Sequence, residues 1–176
     1  MMGAGIGSFV LLLVLTCCPN VARSFPQNFF LLFGFTILTG ISMAGTCVFY
    51  GREEVMWAAG ITAGVFILLT IFAMQTAIDF TACTGITLVL MIILLIFGIV
   101  VSIFPSKTLF MVYSCGGAAI FCLFIVVDTQ LIVGGSNRQC AVSPEDYIFG
   151  ALTLYLDIIN LFLFILQIMR SLDSDQ

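Results

Sequence analysis

Long uncharged stretches separate the few charged positions of the chain. Between Arg23 and Arg52 lie 28 uncharged residues. Glu54 is separated from Asp79 by 24 such residues, and Asp79 is separated from Lys107 by 27. Each stretch exceeds the roughly 20 residues that an α-helix needs to cross about 30 Å of hydrocarbon. The pattern therefore predicts three membrane-spanning helices, at residues 27–50, 55–76 and 81–104.

The C-terminal half predicts two further spans with marked ends. The segment 108–134 is apolar over its first 20 residues, and the glycine pair that begins at Gly134 suits a helix C-terminus. The segment 146–169 follows a Ser-Pro-Glu-Asp sequence that begins at Ser143. A capping serine, a proline at the first helical position and two acids near the positive end of the helix dipole favour a helix start there.

The first segment, residues 3–22, is a weaker span. It carries no charged side chain, but its continuously apolar part runs only from Phe9 to Cys18, before Pro19. A secretory signal peptide is the alternative, although no Lys or Arg precedes the apolar run and no small-residue cleavage pattern follows it. With this segment counted, the sequence predicts an all-α, multi-pass transmembrane helical bundle of about six spans, in which residues 1–176 form a single transmembrane domain.

Composition supports the membrane interpretation and excludes several chemistries. Of the 176 residues, 62% are hydrophobic and 8% are charged, against roughly 45–50% and roughly 25% in soluble domains. Five scattered basic residues make no patch for nucleic acid. The absence of histidine excludes His-ligated zinc and histidine-based catalysis within this chain, and we predict no cofactor or metal. The seven cysteines include no Cys-x-x-Cys pair and are predicted to be small buried hydrophobic residues.

Two acids interrupt apolar spans and are the candidate functional residues. Asp157 lies near the centre of the last span, where an ionised carboxyl costs at least about 2.5 kcal/mol, so we expect it to face protein or water. Thr153 at i−4 and Asn160 at i+3 share its helix face and are predicted to support it. Asp128 lies in the last two turns of the preceding span. Gly117, eleven residues earlier, is on the same face as Asp128 and would let a neighbouring helix approach closely.

The depths of the two acids permit a pair without requiring one. Counted from a helix start at Ser143 and a helix end at Gly134, Asp157 and Asp128 differ in depth by roughly 12 Å. If they meet, two carboxylates in a low dielectric cannot both ionise cheaply and would share a proton. The alternatives are a protonated Asp157 that only hydrogen-bonds across the bundle, and an Asp128 that is hydrated at a helix end.

Two motifs give the chain a specific resemblance. An Asp-Thr-Gln sequence begins at Asp128, and a Tyr-Ile-Phe-Gly-Ala-Leu sequence begins at Tyr147 and is followed by Tyr-Leu-Asp ending at Asp157. At this spacing they resemble the signature of the transmembrane Bax-inhibitor-motif family, lifeguard branch. A Phe-Pro-Gln-Asn sequence at Phe25 is similar too, and the resemblance covers the chain from about Leu11.

The resemblance implies a seven-helix protein of endoplasmic reticulum, Golgi or related membranes that suppresses cell death and allows a pH-sensitive calcium leak from stores. Carried over by position, Asp128 and Asp157 match the family's paired aspartates, whose shared proton would govern opening. The family also places an arginine near that pair, and Arg23 lies in the corresponding stretch. Family members begin with a cytosolic region and a first transmembrane helix, and this chain is expected to lack that helix.

Three classes of function stay open on the sequence alone. A pH-gated cation leak would use the Asp128–Asp157 pair, with calcium as the permeant ion. A non-transporting regulator within the membrane lipid would instead bind apoptosis-regulating membrane proteins through its helix faces. An intramembrane aspartyl protease also needs two acids in adjacent spans. Neither acid lies in a Gly-x-Gly-Asp sequence and no Pro-Ala-Leu motif occurs, so we expect no enzymatic activity.

Overall fold

Helices are the regular elements of the described chain. The structure, a computed structural model, describes residues 2–134, 142–143 and 146–173, and within these residues there is no β-strand. The elements follow in this order: α1 Met2–Cys17, α2 Pro19–Ala22, α3 Gln27–Cys47, α4 Arg52–Gln75, the 3₁₀ turn Thr81–Cys83, α5 Thr84–Ile103, α6 Lys107–Val133 and α7 Tyr147–Asp173.

The helices α3 to α7 are long and apolar enough to cross a membrane, with the 3₁₀ turn extending the α5 segment to 23 residues. In hydrocarbon every backbone N–H and C=O group needs an internal partner, and a continuous helix supplies one. The predicted all-α, multi-pass transmembrane architecture is therefore confirmed. In the described part of the chain it consists of five full-length helices and one shorter apolar helix, Gly3–Cys17.

The predicted first span, residues 3–22, is divided in the structure. The helix α1 ends at Cys17, and α2 begins at Pro19. Proline has no backbone N–H and its ring clashes with the preceding turn, so it fits the first position of a new helix better than the interior of one. The division falls at the proline that the sequence shows to interrupt the apolar run, and the crossing of the membrane by residues 3–22 stays a prediction.

The chain forms two compact units. The first comprises Met1–Gly51 and Val142–Thr153, and the second comprises Arg52–Ala141 and Leu154–Gln176. Because α7 runs from Tyr147 to Asp173, its first turns belong to the first unit and its remainder belongs to the second.

Glycines allow α1 and α3 to pack closely in the first unit, where α1 also contacts α2. A Cβ atom added at Gly7 would lie 3.0 Å from the side chain of Leu38, and one added at Gly34 would lie 3.6 Å from that of Leu11. Small residues at such contacts let helix backbones approach, which increases van der Waals packing where no water is available to drive association.

The helix α6 organises the second unit. It packs against α4, α5 and the 3₁₀ turn. Its buried residues are concentrated in its C-terminal half and are Ser114, Gly117, Phe121, Ile125, Val126, Val127, Thr129 and Gln130. By contrast, α5 leaves many large apolar side chains exposed, among them Leu88 and Leu95. An apolar exposed face of this kind suits contact with lipid.

The two ends of the α6–α7 connection differ in how well the sequence predicts them. The helix α6 ends at Val133, and Gly134 follows with φ 63°, a left-handed conformation that favours glycine, so the predicted end is confirmed. The helix α7 begins at Tyr147 rather than at Ser143. The N–H of Asp146 donates to the Ser143 carbonyl oxygen at 2.8 Å in a turn before the helix. Pro144, Glu145 and Gly135, which belong to the predicted helix ends, lie outside the described residues.

The prediction of buried cysteines is wrong for the six described ones. Three are exposed and three are partly exposed: Cys17, Cys18 and Cys115 in the first group, and Cys47, Cys83 and Cys122 in the second. A thiol behaves as a small hydrophobic group, so it faces lipid as readily as a protein core. Cys140 lies outside the described residues.

Candidate functional site

Asp157 is buried within the second unit. Its side chain is 5% exposed, and its Oδ2 atom has no hydrogen-bond partner among the described residues. A buried carboxyl oxygen without a partner costs free energy, and the cost is largest when the group is ionised. Because burial of an acid inside an apolar helix is costly, such an acid is a functional candidate.

Asp128 is the group that Asp157 meets. A side-chain hydrogen bond joins the two carboxyls, and Asp128 itself is partly exposed on α6. Asp157 is ten residues beyond Tyr147, and Asp128 is five residues before Val133. Counted from these helix ends, the difference in depth is roughly 8 Å rather than the roughly 12 Å counted from Ser143 and Gly134, so the observed helix ends favour the contact more than the predicted ends do.

A hydrogen bond between two carboxyls depends on a proton. Two carboxylates have no proton to donate, so at least one of Asp128 and Asp157 is protonated when they are joined. Sharing one proton also reduces the repulsion between the two groups, and its loss would place two negative charges side by side. The pair can therefore act as a proton-dependent contact between α6 and α7. Among the described residues no group of three or more His, Cys, Asp or Glu side chains is arranged to hold a metal ion.

Gly117 brings α6 and α7 into close contact elsewhere in the second unit. A Cβ atom at this position would overlap the ring of Phe164. That ring stacks on Phe121 with 5.7 Å between ring centroids and meets Tyr113 edge-on at 5.3 Å. The predicted close approach of a neighbouring helix at Gly117 is confirmed, and the element that approaches is α7.

Thr153 and Asn160 form hydrogen bonds within their own helix. The Thr153 hydroxyl donates to the Gly150 carbonyl oxygen at 3.1 Å, and the Asn160 side-chain amide donates to the Leu156 carbonyl oxygen at 2.8 Å. Hydrogen bonds to the preceding turn satisfy these polar groups in an apolar setting. Their predicted support of Asp157 stays a prediction.

Arg23 pairs with Asp146 in the first unit. Its Nε and Nη2 atoms donate to the two carboxylate oxygens at 2.7 and 2.8 Å, which is bidentate geometry. The hydrogen bond from Arg23 and its positive charge lower the pKa of Asp146. Asp146, one of the two acids that the sequence places near the positive end of the helix dipole, is thus also an ion-pair partner. The placement of Arg23 beside Asp128 and Asp157, implied by the resemblance, stays a prediction.

Asn28 contacts the first residue of α7 within the first unit. It is fully buried, and its amide nitrogen donates to the Ala22 carbonyl oxygen at 3.1 Å and to the Tyr147 hydroxyl at 2.8 Å. Its Oδ1 atom accepts the N–H of Phe29 at 2.9 Å. Sequence reasoning missed this role. The available signal is a polar amide that follows Pro26 at the start of an apolar helix.

Comparison with known proteins decides the family. A family model described as Inhibitor of apoptosis-promoting Bax1 matches residues 1–174. The chain belongs to this Bax1-inhibitor family. Its extent agrees with the resemblance carried by the motifs at Asp128 and Tyr147.

Similar members include lifeguard and viral proteins. Human protein lifeguard 3 is 47% identical over 161 residues, which cover 89% of this chain and 51% of the relative. Mouse protein lifeguard 3 is 45% identical over 165 residues, or 92% and 53% of the two chains. The Golgi anti-apoptotic protein of vaccinia virus strain Lister is 34% identical over 145 residues, or 82% and 59%. This Bax1-inhibitor chain therefore spans about half the length of the relatives that it matches.

A second polar contact joins α6 to α7 in this Bax1-inhibitor chain, and sequence reasoning missed it. The buried Ser114 hydroxyl lies 3.1 Å from the Gln167 Oε1 atom and 2.8 Å from the Phe110 carbonyl oxygen, and it shares its proton between them. The sequence feature that could have indicated this contact is the presence of a polar residue inside each of two apolar spans. Because polar groups in hydrocarbon find few other partners, such pairs favour one arrangement of neighbouring helices.

Charge reversal tests the ion pair of this Bax1-inhibitor chain. We expect Arg23→Asp and Asp146→Arg each to lower the melting temperature in detergent, because each places like charges together. The double variant should recover most of the loss.

Since the pKa of Asp146 is lowered, the ion pair contributes stability above the ordinary Asp pKa, and the contribution is lost as pH falls through the lowered value. The melting-temperature difference between wild type and Asp146→Asn should therefore be constant near neutral pH and shrink in acid. A double variant no more stable than the two single variants would contradict the pairing.

Proposed function

We propose that this chain is a proton-regulated calcium leak of an endoplasmic reticulum or Golgi membrane and that it suppresses cell death. The contact between the carboxyls of Asp128 and Asp157 is the observation that carries the proposal. Two acids on separate apolar helices, joined through a proton, supply both a proton-dependent contact and a negative site for a cation.

The proposed gate is the shared proton. While it joins Asp128 to Asp157, it holds α6 against α7 and the leak is closed. When pH rises and the proton leaves, two carboxylates repel each other and the helices separate at this level. The exposed carboxylate oxygens then attract cations, and Ca²⁺ prefers hard oxygen ligands of this kind. The leak should therefore increase with pH.

Supporting roles follow from the contacts around α7. Arg23, through its ion pair with Asp146, holds the beginning of the helix that carries Asp157. Thr153 and Asn160 lie on the same helix and would orient the acid or the permeating ion after giving up their intrahelical bonds. Membrane lipid is the expected surrounding of the exposed apolar side chains of α5.

Relatives support the cellular part of the proposal. The vaccinia relative is named for a Golgi location and an anti-apoptotic activity. By extension, we expect this chain to lower the calcium content of stores and to limit death, with apoptosis-regulating membrane proteins as its partners.

The decisive test measures calcium flux and cell survival with the same variants. The full chain in lipid vesicles should pass calcium at a rate that increases with pH, and expression in cells should reduce stored calcium and protect against a death stimulus. The Asp128→Asn/Asp157→Asn double variant should lose the pH response and the protection together. Absence of flux from the wild type at every pH would contradict the leak. Protection that survives loss of both acids would favour a regulator that acts by binding other membrane proteins.

A further inference from the structure

The junction between α4 and α5 interrupts two apolar helices. The helix α4 ends at Gln75 and the 3₁₀ turn begins at Thr81, so residues 76–80 connect them without helical structure. The last carbonyl groups of one helix and the first N–H groups of the next have no partner within their own helix. In an apolar environment these groups need partners from elsewhere in the protein.

Gln130 of α6 satisfies three of these backbone groups. Its Oε1 atom accepts the N–H of Phe80 at 2.8 Å. Its Nε2 atom donates to the carbonyl oxygens of Ile78 at 3.1 Å and Ala73 at 3.3 Å. The side chain is 1% exposed. One amide therefore joins the end of α4, the junction and the beginning of the 3₁₀ turn, using both its acceptor and its two donors.

Other side chains order the junction only locally. Asp79 Oδ1 accepts the N–H and the hydroxyl of Thr81 at 3.0 and 2.6 Å, and the Thr76 hydroxyl accepts the N–H of Ile78 at 3.3 Å. These bonds span two residues each and hold the turn in shape. The bonds from Gln130 span 50 to 57 residues and hold the junction against α6.

Gln130 and Asp128 are close along α6 and face different neighbours. Two residues correspond to a rise of about 3 Å and a rotation of about 200° around a helix. The carboxyl of Asp128 meets Asp157 of α7, whereas the amide of Gln130 meets the junction. This end of α6 is therefore held from both sides within the second unit. A shift of the junction would move or rotate the helical turn that carries Asp128.

We propose that Gln130 is a positioning residue that ties the α4–α5 junction to the acid pair, so that the junction governs how readily Asp128 and Asp157 share a proton. This inference rests on the proposed function, because it assigns the junction as the regulator of the proposed gate. Without the hydrogen bonds from Gln130 to the junction, the helical turn that carries Asp128 would rotate away from Asp157. The pair would then lose its proton at lower pH, and the leak would open earlier as pH rises.

Other titratable groups near this end of α6 are few. Besides Asp157, the described side chains of this kind on the elements that contact α6, on the junction and on α7 are Arg52, Glu53, Glu54, Asp79, Cys83, Tyr147, Tyr155 and Arg170. The first three are in the first turn of α4, about 20 residues before the carbonyl group of Ala73. The helix α5 has no Asp, Glu, Lys, Arg, Tyr or Cys. Asp79 is thus the acid of the junction whose titration must be separated from that of the Asp128–Asp157 pair when the pH dependence of flux is measured.

The test compares two glutamines that both form a polar contact from α6 or α7. In lipid vesicles that contain the full chain, Gln130→Leu should shift the midpoint of the pH–flux curve downward by about one pH unit, a tenfold change in proton binding. Gln167→Leu removes the contact to Ser114 and is the matched control, with an expected midpoint close to that of the wild type. Asp79→Asn should also leave the midpoint near the wild-type value. Superimposable curves for wild type and Gln130→Leu would overturn the proposal.

Hydrogen exchange separates this proposal from the proposed function. Gln130→Leu should speed exchange of the Phe80 amide, whereas Gln167→Leu should not, and this result requires no calcium flux. Gln130→Met provides a second apolar replacement of similar length if the leucine variant does not fold. In the wild type, exchange at Phe80 should increase at the pH where flux is fast. An amide equally protected at both pH values would overturn the coupling, whereas a wild type without flux would contradict the leak alone.

Discussion

Replacement of Asp157 with Asn should abolish the pH dependence of calcium flux. Asparagine has nearly the same shape as aspartate but stays neutral at every pH. Its amide can donate a hydrogen bond to Asp128 whether or not Asp128 is ionised, which reproduces the joined state of the wild-type pair. Flux at the pH where the wild type is open should therefore fall by roughly tenfold or more, the change expected when a two-state equilibrium loses its bias of about 1.4 kcal/mol.

A matched acid on the same connection controls this experiment. Asp146 immediately precedes α7, and its pKa is lowered by Arg23, so it stays ionised through the neutral range. Asp146→Asn should therefore retain the pH dependence, even if the absolute flux changes. Flux would be followed with a calcium-sensitive dye trapped in vesicles over a pH series from mildly acidic to mildly alkaline. An Asp157→Asn curve with the slope and midpoint of the wild type would exclude the acid pair as the pH sensor.

Replacement of Gly117 with Val should destabilise the protein clearly. A Cβ atom at this position overlaps the ring of Phe164, and that ring has little room to move because Phe121 and Tyr113 pack on it. Forcing extra carbon atoms into a packed contact costs about 1–3 kcal/mol. The expected observation is a clear fall in the melting temperature or in resistance to denaturing detergent.

The neighbouring glycine provides the control for Gly117. A Cβ atom at Gly116 would meet no atom within 4 Å, so Gly116→Val changes the same residue type in the same helix without a clash. Because the helix propensities of the two replacements are identical, the difference between the variants isolates the contact with Phe164. Equal stability of the two variants would show that α7 does not approach α6 at Gly117.

Much of the helical architecture could be predicted from the spacing of charges. Hydrocarbon excludes unpaired backbone groups and isolated charges, so an uncharged stretch longer than about 20 residues has few structures open to it. Helix ends are harder to predict because several start and stop signals compete locally. Gly134 ends α6 as expected, whereas α7 begins at Tyr147 and not at the capping sequence that starts at Ser143.

The partners of polar side chains were the least predictable features. Asn28, Ser114 and Gln167 are single polar residues in apolar surroundings, and nothing in their spacing indicates which backbone or side-chain group they meet. Gln130 belongs to a motif, yet its contact with residues 50 to 57 positions away depends on how α4 and α6 pack. Such contacts join residues that are far apart in the sequence, so local pattern cannot specify them.

By itself, the sequence determined that this is a multi-pass helical membrane protein and that Asp128 and Asp157 are the acids that interrupt its apolar spans. Scarcity of charge made both conclusions accessible, since each charge in hydrocarbon has a large cost and stands out. Only the tertiary structure decided that the two carboxyls meet. The two helices that carry them also pack closely at Gly117, where the absence of a Cβ atom admits the ring of Phe164. Such contacts depend on the relative depth and rotation of two helices, which packing determines and a linear pattern does not.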